Sequence, residues 1–117
     1  YPAGTAISYG GIYVTPHKTR IGVIPYGYAD GFFRCLSNKC SIMTAEGPAP
    51  QRGKICMDMC MIDVTHVPYV RLGDEVTIMG KDGIYEITAD DIARETGTIN
   101  YEVVCGFGQR LPKVYVY

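Results

Sequence analysis

Tryptophan is absent from this chain, histidine occurs only twice, and neither sign of charge predominates. Lysine and arginine total 11 against 12 aspartates and glutamates, a formal charge of −1. There is no basic stripe to lay on nucleic acid and no acidic block to act as a solvating tail. No apolar run approaches the ~18 residues that a membrane-spanning helix requires, so no membrane contact is expected from this segment. The opening Tyr-Pro-Ala-Gly carries neither an initiator Met nor a signal-peptide pattern, and it reads as a cut end of a longer protein. Cys-x-x-Cys is missing, His17 and His66 lie far apart, and Cys56 and Cys60 have no partners at zinc spacing, so no metal site is expected. The chain has no repeat, linker or low-complexity stretch, so its 117 residues are read as one domain, 1–117.

What is present describes a folded globule. With 47% hydrophobic and 20% charged residues, intrinsic disorder is out. Five cysteines (Cys35, Cys40, Cys56, Cys60 and Cys105) cannot all pair within one chain. Several lie in apolar stretches and suit reduced thiols of a cytoplasmic protein. Short segments rich in β-branched and aromatic residues alternate with turns. Strands are expected over residues 6–15, with a bulge or a close backbone approach at Gly10-Gly11, and over 19–26. Others are expected at 41–45, closed by Glu46-Gly47-Pro48, and at 54–64, covered on both faces. Residues 75–79 and 84–87 should form a hairpin through Asp82-Gly83, and residues 101–105 and 113–117 add two final strands.

One helix is well signalled, near 88–97. Thr88 can cap it with Asp91 three residues on, Ile87 and Ile92 occupy the staple positions, and Gly97 stands where a terminating glycine belongs. About eight short strands with one helix predict an all-β, barrel-like domain.

Ten tyrosines concentrate the aromatic chemistry in phenols. A phenol titrates near ~10, so its use as a base at neutral pH needs nearby positive charge or hydrogen bonds that favour the phenolate. Three patterns are over-specified for packing alone. Ser8-Tyr9-Gly10-Gly11 flanks a phenol with small residues. Tyr26-Gly-Tyr-Ala-Asp-Gly31 is followed by Arg34. Ile55-Cys-Met-Asp58 interrupts an apolar run with a carboxylate. Each has a plainer account: Tyr9 and Tyr28 as core residues, Asp30 as a turn residue, Asp58 as the partner of Arg34 or Arg52, and Met57, Met59 and Met61 as core filling.

Taken in order, the motifs resemble the C-terminal domain of alanine racemases, pyridoxal-phosphate enzymes of fold type III. The matching stretches are Ile7-Ser-Tyr-Gly10, Ile24-Pro-Tyr-Gly-Tyr-Ala-Asp-Gly31, Leu36-Ser-Asn38 and Gly53-Lys-Ile-Cys-Met-Asp58. Met61-Ile-Asp-Val-Thr65, Leu72-Gly-Asp-Glu-Val76, Ile87-Thr-Ala-Asp90, Gly97-Thr-Ile-Asn-Tyr-Glu102 and Arg110-Leu-Pro112 follow.

The resemblance implies that an N-terminal barrel, absent from this chain, binds pyridoxal phosphate through a lysine. It further implies a homodimer in which this domain caps the partner's cofactor, interconverting L- and D-alanine, a peptidoglycan precursor, by two-base proton transfer. Tyr9 would be the catalytic acid/base on one face. Met57 and Asp58 would contact the amino-acid substrate, Tyr28 and Arg34 would line its entry, and Tyr101 would bind the cofactor phosphate. Lys54 departs from the arginine that many members carry there, keeping the charge without the planar fork.

A serine/alanine racemase of the vancomycin-resistance type shares this domain. Its serine-preferring relatives can carry asparagine at the Tyr101 position, so Tyr101 favours alanine. A non-catalytic β-barrel binding or dimerisation module is the rival from another class. A fold-type-III decarboxylase is disfavoured by Ser-Tyr-Gly-Gly and Cys-Met-Asp. The domain alone is expected to fold and to be inactive.

Overall fold

A computed structural model describes residues 1–82, 85–108, 112 and 114, and among them lie eight short strands, two α-helices and three 3-10 turns. The strands are β1 Ala6–Ile7, β2 Tyr13–Val14, β3 Ile21–Ile24, β4 Ser41–Thr44, β5 Gly47–Pro50, β6 Cys60–Asp63, β7 Gly80–Asp82 and β8 Tyr85–Ile87. They pair antiparallel as β1–β2, β3–β6, β4–β5 and β7–β8, four two-stranded sheets. Single bridges, Met43 to Thr77 and Gln51 to Ile62, lean these ribbons on one another. The class is all-β as expected, but among the described residues the ribbons do not close into a barrel.

The core lies between the ribbons and the helices. Leu36, Ile42, Ile55, Ile62 and Val103 are all but fully buried there. In β6, Cys60 and Ile62 enter this core while Asp63 is also covered, in keeping with a strand shielded on both faces. The expected strand over 54–64 is nonetheless shorter. Residues 53–59 form an irregular loop, and Ile55 and Cys56 are apolar because that loop is itself packed inward. Met57 and Met59 point out of it and are exposed, so they are not core filling.

Helix α1, Ala89–Thr96, forms where its terminal signals place it. Thr88 Oγ1 accepts from the Asp91 amide at 3.0 Å and Asp91 Oδ2 accepts from the Thr88 amide at 2.9 Å. Gly97 takes φ 73 to end it, and Ile92 and Ala93 turn into the core.

Three expectations need correction. Residues 101–105 are not a strand but most of a second helix, α2, Asn100–Cys105. It packs along α1 with Val103 buried, and that contact outweighs the strand preference of its β-branched and aromatic residues. Residues 6–15 are not one strand: positive φ at Gly10 and Gly11, 72° and 57°, turn the chain back into the β1–β2 hairpin. The ribbon after residue 74 begins at Gly80 rather than at 75. Gly83 of its turn, the 113–117 strand apart from Val114, and Arg110 and Leu111 lie outside the described residues.

Candidate functional site

The first element of the site is the turn between β1 and β2, a 3-10 turn over Tyr9–Gly11. Tyr9 is 71% exposed, so it is not a core residue. Gly10 and Gly11 put no side chain beside the phenol. Ser8, which leads into the turn, has φ 64 and ψ −168. Its Oγ donates to the Lys54 carbonyl at 2.7 Å, with Cys56 Sγ 3.5 Å away. The Lys54 ammonium lies over the turn: a Cβ on Gly10 would stand 3.3 Å from Lys54 Nζ. Gly53 closes the contact from the other side, where a Cβ would come within 2.7 Å of the Ile7 carbonyl oxygen.

The second element is the 53–59 loop with the turn that docks on it. The Tyr28 amide donates to the Cys56 carbonyl at 3.0 Å and the Ala29 amide to the Met57 carbonyl at 2.9 Å. Asp30 is buried beneath this turn and accepts from the Gly27 amide through Oδ2 at 3.1 Å. It is the turn residue that its neighbours suggested. The Arg34 guanidinium carbon sits 5.8 Å from the centre of the half-exposed Tyr28 ring, within cation–π range. Met57 and Asp58 are exposed at the loop's tip, and among the described residues Asp58 pairs with neither Arg34 nor Arg52.

The fold therefore joins the segments bearing Tyr9, Met57, Asp58, Tyr28 and Arg34 through main-chain and Ser8 hydrogen bonds. Tyr101 stands apart. It is exposed on α2 beside Asp90 and Arg94, and among the described residues no hydrogen bond or ring contact links it to the others. The end of α2 does reach the Tyr28 turn, since a Cβ on Gly31 would stand 2.6 Å from the Gly106 carbonyl oxygen.

A supporting set of residues underlies these elements, and the sequence motifs include only its Ser37 and Asn38. Gln51, fully buried, accepts from the Asn38 amide at 2.8 Å and donates to the carbonyls of Arg52 and Gly53. Asn38 Oδ1 accepts from the Gly53 amide at 2.6 Å, and Ser37 Oγ accepts from the Ile55 amide at 2.9 Å. Asn38 also donates to the Ile12 carbonyl, across to the hairpin that carries Tyr9. Ser37 and Asn38 were legible as a motif. A lone Gln51 between Pro50 and Arg52 has no local signal.

Burial shifts the titration of one phenol and two thiols. Burial first, then Asp30 and Cys60, pushes the Tyr26 phenol up to about 12, which holds it protonated at neutral pH. Burial likewise raises Cys40 and Cys60 to about 12, leaving them as inert thiols. Cys35 and Cys105 are exposed, and all five cysteines are unpaired. Among the described residues no three His, Cys, Asp or Glu side chains gather as a metal site, and no helix is long and apolar enough to cross a membrane.

Known proteins resemble this chain in sequence and fold. The model of the family described as "Alanine racemase, C-terminal domain" matches residues 1–115. An alanine racemase of Halothermothrix orenii is 53% identical over 114 residues, covering 97% of this chain and 30% of that protein. The crystal structure of alanine racemase from E. faecalis superposes with a TM-score of 0.89 at 41% identity, covering 96% of this chain and 29% of that one. Alanine racemase from Bartonella henselae, solved with covalently bound pyridoxal phosphate, superposes with a TM-score of 0.91 at 28% identity, covering 99% of this chain and 32% of that one. The chain thus spans about a third or less of the length of these relatives.

Proposed function

This chain belongs to the alanine racemase C-terminal domain family, and from that premise we propose that it is the β-rich domain of an enzyme interconverting L- and D-alanine. In this reading a cofactor-binding barrel precedes it, the whole protein acts as a cytoplasmic homodimer, and this domain faces the partner subunit's cofactor. The single observation that carries the reading is the exposed Tyr9 phenol, followed by two glycines on a turn that Ser8 Oγ ties to the Lys54 carbonyl.

The residues present fit pyridoxal phosphate as a cap fits a site, not as its principal holder. Tyr9 and Tyr101 expose phenols that can meet a flat ring or a phosphate, and Gly10 and Gly11 leave a planar group room to approach. When bound, the cofactor withdraws electrons from the substrate's α-carbon and makes its proton removable. Racemisation needs a proton taken from one face and returned on the other, so two acid/base groups must flank that carbon. Tyr9 holds or takes the proton on one face. The Lys54 ammonium beside Gly10 places positive charge on the turn that carries it.

Met57 orients the substrate by donating its main-chain N–H to the substrate carboxylate, and Asp58 borders the same place. Tyr28 and Arg34, within cation–π range of each other, line the approach. Tyr101 would donate to the cofactor phosphate. Its bulk supports alanine over serine, whose hydroxymethyl group needs polar room.

The test is racemisation of L-alanine and L-serine, side by side, by the full-length protein with pyridoxal phosphate. Turnover of alanine well above serine is expected. Comparable serine turnover would move the protein to the serine/alanine branch. Turnover of neither would favour a non-catalytic module.

A further inference from the structure

We infer that Ser8 is a positioning residue for Tyr9: its hydroxyl, bonded to the Lys54 carbonyl, holds the backbone in a strained conformation that fixes the phenol at the surface of the site. The inference rests on the proposed role of Tyr9. Its own evidence is the backbone.

Among the described residues only two other than glycine have positive φ, Ser8 and Asn38. Asn38, at φ 63, exploits the tolerance of asparagine for the left-handed region. Ser8 has no such excuse. Its φ of 64 with ψ of −168 falls in a region that is essentially reserved for glycine, because a Cβ there crowds the flanking peptides. A residue with a side chain stays in such a place only when its surroundings over-determine it.

Here the surroundings do so on two sides. Ser8 Oγ donates to Lys54 O at 2.7 Å, and Cys56 Sγ lies within 3.5 Å of the same hydroxyl. The acceptor cannot drift to meet a relaxed Ser8. Gly53 is pressed against Ile7, and its amide is held by Asn38 Oδ1 at 2.6 Å. The hydroxyl is thus a clasp between two backbone segments 46 residues apart. Releasing it lets residue 8 return to ordinary φ, which swings the next residue, Tyr9. A glycine at position 8 would accept the angles without strain but no longer be held to them, leaving Tyr9 mobile, whereas alanine would lose the clasp and be driven by the strain to leave them.

The experiment uses the full-length holoenzyme with Ser8→Gly, Ser8→Ala and Tyr9→Phe. It measures kcat and KM for each alanine enantiomer, solvent-deuterium incorporation at the α-carbon, melting temperature, and amide exchange of the peptide spanning residues 6–14. For Ser8→Gly we expect KM within about twofold of wild type and kcat lowered about tenfold or more, the signature of a misplaced acid/base group. Deuterium incorporation should fall most for the enantiomer whose proton faces Tyr9, and the 6–14 peptide should exchange faster. Ser8→Ala should also melt lower, and Ser8→Gly remains informative if the alanine variant does not fold.

A Ser8→Gly enzyme with wild-type kcat, or one whose deuterium incorporation falls equally from both enantiomers while the 6–14 peptide exchanges as before, would overturn the inference. Full activity in Tyr9→Phe would instead overturn the role of Tyr9, leaving amide exchange to report on the clasp itself.

Discussion

Gly27 lies so close to Cys56 that a Cβ on the glycine would stand 2.2 Å from the Cys56 carbonyl oxygen. That approach lets the Tyr28 and Ala29 amides reach the carbonyls of Cys56 and Met57. The obstacle to a side chain is main chain, which has no rotamer in which to retreat. Gly27→Ala should therefore destabilise the chain by about 2–3 kcal/mol or more, the range for overpacking against a rigid neighbour. An unchanged urea midpoint would contradict the packing described.

Gln51 spends its buried amide on three backbone groups, accepting from Asn38 and donating to Arg52 and Gly53. Gln51→Leu keeps much of the volume and strands those groups in the interior. With about 1–3 kcal/mol for each polar group left unpaired, a loss of at least about 3 kcal/mol is expected. Urea unfolding measures it, and a variant as stable as wild type would mean that water or rearrangement replaces all three bonds.

The Asp91 carboxyl is held below its ordinary 3.8, first by the Thr88 backbone hydrogen bond, then by the Thr88 side chain, with a smaller part from Arg94. A depressed folded-state value means that the carboxylate stabilises above the unfolded value, and that this stabilisation is lost as pH falls through the folded one. Asp91→Asn should therefore leave acid melting curves flatter below about pH 4. Thr88→Ala should cost about 1 kcal/mol at neutral pH through the lost cap. Melting temperatures that follow pH identically in wild type and Asp91→Asn would count against this.

Alkaline behaviour rests on buried groups. Tyr26 rises from 10.0 to about 12, and Cys60 from 9.0 to about 12, mainly by burial. Both are neutral in the folded chain below the unfolded values. The stabilisation this gives is complete there and is lost as pH climbs through the folded values. Melting temperature should fall between pH 9.0 and about 12. Tyr26→Phe should soften the upper part of that fall and cost little near neutrality, because the Tyr26 hydroxyl is buried without a partner among the described residues. Strong destabilisation at neutral pH would reveal a partner for that hydroxyl.

What could be read from residues alone follows the range of each signal. The cap of α1 is carried by Thr88, Asp91 and Gly97, all within ten residues, and it folded as expected. The loop between β4 and β5 came within two residues of its expected place. Helix α2 has no such marker. Its capping position is Ile99, which offers no side-chain oxygen, and Tyr101, Val103 and Val104 read as strand formers. Likewise the β-branched residues around Gly10-Gly11 suggested extension where the two glycines reverse the chain.

The site divides in the same way. The order of motifs from Ser8-Tyr9 to Thr98-Ile-Asn-Tyr101 identified the family, because residue identity at fixed spacing is a property of the chain itself. Runs of β-branched and aromatic residues between turns determined the class, and capping residues the helix α1, since both act between neighbours. Only the tertiary structure decided that Tyr9 would be exposed on a turn, that Ser8 would clasp Lys54, and that Gln51 would serve three backbone groups at once. The Asn38–Gln51 and Ser8–Lys54 bonds join residues 13 and 46 positions apart. No propensity within a few residues encodes such a meeting, and packing of the whole core selects it.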